Sequence, residues 1–198
     1  MEYPFYLFQR GLRWLRINKT MSKTEYKNRK YNIETHDFLW PEKFELDAKK
    51  LKAIFGSDAI AVEHIGSTSV PGMDGKPTID VLIIVNDLAI TDKHVAAMGD
   101  AGYEYFPGYV SADSILFRKI KDGAILSNVH VFQKDHSHVH EMLTLRDYLR
   151  SHPEEVKVYS NIKKELFQKY PDDYAMYRKL KDEYMDDLKK RISQNPSI

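Results

Sequence analysis

Apolar positions change their period twice along this chain. From Pro41 to Phe55 they recur at helical spacing, with Phe44, Leu51, Ile54 and Phe55 on one face, Pro41 suited to the first turn and Gly56 to the stop. From Ala59 the period shortens. AIAVEHI reads as a strand ending at Ile65 and Thr78 to Val85 as a second, separated by the small-residue stretch GSTSVPGMDGKP. In the second strand Asp80, Leu82 and Ile84 face one way, and Ile79, Val81, Ile83 and Val85 the other. Both faces are apolar apart from Asp80, which predicts a central strand covered on both sides. A carboxylate at its start has to meet a polar site, because burying it unpaired is unfavourable.

The remaining elements follow from the same patterning. Lys30 to Ile33 reads as a short strand, and Asp92 to Ala101 as a helix stopped by Gly102. Tyr103 to Phe106, Ser114 to Ile120 and Ile125 to Phe132 read as strands, the last two joined by a hairpin turn at Lys121, Asp122 and Gly123. After Ser137 the period returns to helical, predicting helices over His138 to Arg150, Pro153 to Lys169 and Asp172 to Ile192. Their aromatic stripe, which includes Tyr148, Tyr159, Tyr174, Tyr177 and Tyr184, predicts a helical lobe packed on the sheet.

Composition narrows the class. The 198 residues suit one domain of ordinary size, and 42% hydrophobic content argues against disorder. With no cysteine, disulfides, thiolate zinc sites and a cysteine nucleophile are excluded, which suits a cytoplasmic protein. The net charge of +1 is unevenly spread: residues 1–30 carry +6 and the rest −5. A mildly acidic body is not a nucleic-acid platform. The opening YPFYLF precedes its bases and has no cleavage site after it, so residues 1–28 read as a basic, aromatic extension rather than a signal peptide or membrane arm. No stretch approaches the roughly 18 apolar residues that a membrane span requires.

Candidate chemistry centres on the small-residue stretch. Gly66, Ser67 and Thr68 follow a strand end, where backbone N–H groups and hydroxyls can approach phosphate oxygens. Asp80, on the next strand, can hold a divalent cation beside the same phosphates. Lys76 and Arg118 are candidate phosphate contacts, against the bland readings of a solvated loop lysine and an exposed strand arginine. His130 is a candidate nitrogen ligand or phosphate contact, with a hydrogen-bonded sheet histidine as its equal alternative. His64 can orient Ser67, but the GxSxG context of a serine hydrolase is absent. His136, His138 and His140 read as a solvated turn, and Arg146, Asp147 and Arg150 as intrahelical pairs, with Arg146 able to face the cleft.

HIGSTSVPG followed by KPTID resembles the signature of the GrpB family, a branch of the nucleotidyltransferase superfamily with a DNA polymerase beta-like fold. HDFLWPEKF and LRDYLRSHPEEVKVYSNIKKEL extend the resemblance to about residues 29–190. It implies an α+β domain over 29–198: a nucleotidyltransferase-like mixed sheet backed by helices to about 135, then a C-terminal helical lobe over 136–198. It further implies a Mg²⁺-dependent transfer of a nucleoside monophosphate, with Gly66, Ser67 and Thr68 at the phosphates and Asp80 and Ser67 catalytic, Asp80 as metal ligand. The superfamily pattern has a second acid two residues after the first. Here that residue is Leu82, so the alternative is a degenerate fold that binds a nucleotide or phosphorylated small molecule without transfer.

Overall fold

The computed structural model describes residues 30–194. Helix α1 (Trp40–Phe55) has Pro41 in its first turn and ends at Gly56, whose φ of 55° lies in the left-handed region. It buries Trp40, Phe44, Ala48, Leu51 and Phe55, the stripe expected of a helix lying along a sheet. Strand β1 (Ala59–Ile65) runs into a 3-10 turn over Ser67–Ser69, and β2 (Ile79–Val85) follows. A 3-10 segment (Leu88–His94) leads to the short helix α2 (Val95–Asp100), then β3 (Tyr103–Pro107), β4 (Ile115–Lys121) and β5 (Ala124–Gln133). Three helices complete the chain: α3 (Ser137–Ser151), α4 (Pro153–Lys169) and α5 (Tyr174–Gln194).

The strands form one mixed sheet in the order β1-β2-β5-β4-β3, in which only the β2/β5 pair is parallel. Strand β2 lies inside it, and its alternation partitions the core. Ile79, Val81, Ile83 and Val85 pack with α1 and Met98 of α2 on one face. Leu82 and Ile84 pack with Ile65, Phe132 and Val139 on the other, beneath the helical lobe. A third cluster joins Val70 and Met73 of the small-residue loop to Leu149, Val156, Tyr159 and Leu188. The loop is therefore clamped between sheet and lobe. This is the α+β architecture expected, with its C-terminal helical lobe. The β4/β5 turn has positive φ at both Asp122 (52°) and Gly123 (78°), the mirror-image turn that suits strand twist.

Two elements differ from expectation. No strand forms over Lys30 to Ile33; instead Glu34 makes one two-bond bridge with Gly75 (2.8 and 2.9 Å), while Tyr31 packs its ring against Phe167, Tyr174 and Tyr177. These ring contacts, with the Tyr31 hydroxyl donating to Tyr170 O at 2.5 Å, hold the segment on the helical lobe. The expected helix over Asp92 to Ala101 is α-helical only from Val95, because Thr91 and His94 are drawn into the core and His94 binds Asp58 at 2.7 Å. The expected extension over residues 1–28 lies outside the described residues. No helix among the described residues is long and apolar enough to cross a membrane.

Candidate functional site

Gly66 ends β1 with φ 72° and ψ −174°, beyond the reach of ordinary L-residues. Its neighbour Ile65 pairs with Asp80 across the β1/β2 ladder. A Cβ on Gly66 would stand 2.5 Å from Asp80 Oδ2, so the glycine is what lets the carboxylate lie against the loop backbone. Ser69 closes the turn by donating to Gly66 O at 2.7 Å. Thr68 is buried, and its hydroxyl donates to Thr78 O at 3.3 Å. With that proton committed, Thr68 Oγ1 accepts from His64 Nε2, 3.0 Å away, which puts the ring proton on Nε2. His64 also stacks on Phe44 at 4.5 Å, and its burial pushes its pKa down to about 4, aided by Arg150 and Arg146. It thus supports Thr68, not Ser67, and Thr68 does not line the cavity.

Beside Asp80 in the sheet stands Asn128 of β5, and beside Asn128 stands Arg118 of β4. Arg118 Nε donates to Asn128 Oδ1 at 3.0 Å, and Asn128 Nδ2 donates to Asp80 Oδ1 at 2.8 Å. The two bonds fix the amide's orientation, since its oxygen must face the guanidinium and its NH₂ the carboxylate. Arg118 is only 8% exposed, with Phe106 and Tyr109 ring centroids 5.2 and 4.9 Å from its guanidinium carbon. It is not the exposed strand arginine of the bland reading. His130 lies one pair further along, opposite Leu82 and Leu116, with its Nδ1 buried and without a partner. Burial lowers its pKa, against an opposing pull from Asp80.

The lobe contributes the most buried cation. On α4 the face formed by Val156, Tyr159, Ser160 and Lys163 is buried, and Lys163 is 2% exposed. Its Nζ donates to Ser67 Oγ at 3.1 Å and to Asp74 O, and sits 4.4 Å from the Tyr159 ring centroid. The Asp74 carboxylate is held elsewhere, by Lys164 (2.5 Å) and the His36 N–H (3.0 Å). Burial, reinforced by Lys181 and Lys76, pushes the Lys163 pKa down to about 7 from an ordinary 10.5, although Asp74 opposes the shift. Lys76 donates to the Tyr174 hydroxyl at 2.9 Å. Ser67, Lys76, Asp80, Arg118, Asn128, His130 and Lys163 all line one cavity of about 390 Å³ between sheet and lobe.

The Lys163 shift carries a pH signature. The unfolded chain holds this proton up to about 10.5 and the folded one up to about 7, so between those values the unfolded state binds more protons. Stability from this group is therefore fully present above pH 10.5 and is lost as pH falls toward 7, with a limiting slope of about 1.4 kcal/mol per pH unit. Lys163→Met is expected to flatten that part of the profile and to raise the melting temperature at pH 7, as read by thermal unfolding across pH. An unchanged slope would mean that Lys163 does not titrate in this range.

Among the described residues no group of three or more His, Asp or Glu converges as a metal cage would require. Leu82, where a second acid would stand, is 0% exposed in the apolar core. Glu63 stands opposite Leu82 but is bound to Arg146 at 2.7 Å. Arg146 also donates to His64 O at 3.2 Å, and Arg150 to Ser69 O at 3.0 Å, so these arginines tie α3 to β1 and the loop as well as pairing within their helix. His136 accepts from the His138 N–H at 3.1 Å as the cap of α3 and reaches Asp113 at 3.1 Å, which makes it a structural histidine and not a solvated one.

Of the sequence-derived candidates, Gly66, Ser67, Lys76, Asp80, Arg118 and His130 line the cavity and Thr68 does not. Sequence reasoning missed Asn128 and Lys163. Lys163 was findable, because its spacing from Val156, Tyr159 and Ser160 puts a lysine on the buried face of its helix. Asn128 was not, because only strand register sets it beside Asp80.

Fold and site together define an α+β protein in which a mixed sheet and a helical lobe close on a cation-lined cavity, with Asp80 the one aspartate among the described residues that line it. A family model described as GrpB protein matches residues 30–191, and the chain belongs to the GrpB family. It is 31% identical over 174 residues to UPF0157 protein BH1888 of Halalkalibacterium halodurans, covering 88% of each chain. It is 34% identical over 160 residues to UPF0157 protein YqkA of Bacillus subtilis, covering 81% of this chain but only 46% of that longer relative. The crystal structure of conserved protein GrpB from Enterococcus faecalis superposes with a TM-score of 0.77 at 33% identity, covering 81% of this chain and 96% of that one. The Cid1 poly(U) polymerase structure aligns at a TM-score of 0.47 and 13% identity over 69% of this chain and 43% of that one, too slight a likeness to bear on function.

Proposed function

We propose that the cavity binds a nucleotide or another phosphate-bearing small molecule without transferring a nucleotidyl group. The observation that carries this reading is the balance of charge around Asp80: among the described residues lining the cavity this one carboxylate, already bonded to Asn128, stands with the cations Lys76 and Arg118. Ammonium and guanidinium groups neutralise phosphate oxygens directly. Transfer through paired cations needs convergent carboxylates, whereas Asp80 is flanked in the sheet by Ile65 and Asn128, with Leu82 two residues along its own strand. A Mg²⁺ ion takes one or two carboxylates plus phosphates, so Asp80 fits one cation carried in with the ligand and does not fit a pair.

Calorimetric titration with nucleoside triphosphates, in EDTA and in Mg²⁺, tests the reading. Binding that persists in EDTA is the expected result. The alternative, Mg²⁺-dependent transfer of a nucleoside monophosphate to an acceptor, is favoured by Asp80 Oδ2 lying against Gly66, where a phosphate-bound cation would approach. It predicts acceptor-dependent pyrophosphate release that disappears in Asp80→Asn. Absence of any binding would sink both readings.

A further inference from the structure

The contact between Ser67 and Lys163 has the geometry of a nucleophile and its base. We propose that Ser67 is an activated nucleophile, with Lys163 as its general base, in the hydrolysis of an ester that bears an anionic group. Nζ and Oγ are 3.1 Å apart, within proton-transfer distance, and both line the cavity. The lysine is sealed under the loop while Ser67 remains half-exposed to the cavity.

The surroundings favour a neutral amine. Among the described residues no carboxylate lies within ion-pairing distance of Nζ: the Asp74 side chain is turned to Lys164, and Asp182 is held by Lys181 and Arg178. Burial and the charged neighbours Lys181 and Lys76 disfavour protonation, the Asp74 charge and the Tyr159 ring face favour it, and the pKa settles at about 7. As an ammonium, Nζ donates to both Ser67 Oγ and Asp74 O; once it loses a proton it keeps an N–H for Asp74 O and turns its lone pair to the Ser67 hydroxyl. Lys76 and Arg118, in the same cavity, supply the positive charge that would hold the substrate's anionic group. The phosphate-binding reading rests on Asp80, Lys76 and Arg118 and does not require the Ser67–Lys163 pair.

Ser67 Oγ bonds to the acyl carbon while its proton passes to Lys163 Nζ; the bond from that carbon to the leaving alcohol's oxygen breaks, and that oxygen takes the proton from Nζ. Water then bonds to the acyl carbon, its proton passes through Nζ to Ser67 Oγ, and the acyl–Oγ bond breaks to release the acid.

A fluorophosphonate probe followed by peptide mass mapping tests this on the full chain. Labelling is expected on Ser67, with a rate that rises as pH increases through about 7, when the base loses its proton. It should vanish in Ser67→Ala and fall at least tenfold in Lys163→Met and Lys163→Arg, each checked for native circular dichroism. The wild-type pH profile decides the matter even if both lysine variants fail to fold. No label on Ser67, a rate without that inflection, or labelling that survives in a folded lysine variant would overturn the dyad and leave the ligand-binding reading to its own titration.

Discussion

Gly66→Ala is expected to lower stability by roughly 2–4 kcal/mol and the melting temperature by roughly 5–15 °C, and to abolish ligand binding in the cavity. Two effects act together. The backbone at φ 72° and ψ −174° is strained for any residue with a Cβ, and the new methyl would stand 2.5 Å from Asp80 Oδ2 and 3.1 Å from Asp80 Cβ. Neither neighbour can retreat cheaply, since Asp80 is fixed by its pairing with Ile65 and by the Asn128 amide. The two effects separate in an Asp80→Gly background, where the steric part of the Gly66→Ala penalty should vanish and the backbone strain remain. Thermal unfolding of the four chains reads this directly, and equal penalties in both backgrounds would remove the steric argument.

Arg118→Ala is expected to weaken nucleoside triphosphate binding by about ten- to a hundredfold, equivalent to the roughly 1.5–3 kcal/mol of a hydrogen bond to a charged group. It removes a cation from the cavity wall and leaves Asn128 Oδ1 without its donor, so the amide that steadies Asp80 is free to turn. Arg118→Lys should recover little. An ammonium cannot lie flat against Phe106 and Tyr109 while also donating sideways to Asn128. Calorimetry on both variants, with melting temperatures as a control for folding, checks this. Full affinity in Arg118→Ala would remove this residue from the site.

Much of the architecture was legible because it depends on local periodicity. The β2 face assignment, the covered strand and the hairpin at Asp122 and Gly123 all follow from alternation and turn chemistry, which neighbouring residues settle among themselves. Where side chains reach into distant partners, local reading failed. Tyr31 packs on the lobe in place of an expected strand, and Thr91 and His94 tighten an expected helix into a 3-10 segment. For Arg118 the sequence left a phosphate contact and an exposed arginine as alternatives, because nothing adjacent to it in the chain reveals the rings and amide that enclose it.

The amino-acid sequence by itself determined the loop from Gly66 to Asp80, the small residues that let it approach the strand, and the absence of an acid at Leu82. Only the tertiary structure decided what surrounds that aspartate. Strand register places Asn128 and Arg118 beside it, and the folding of α4 over the loop brings Lys163 to Ser67 across 96 residues of chain. The reason is physical: backbone conformation and periodicity are properties of neighbours in the chain, whereas the charge and protonation of a buried site depend on which distant groups exclude water from it.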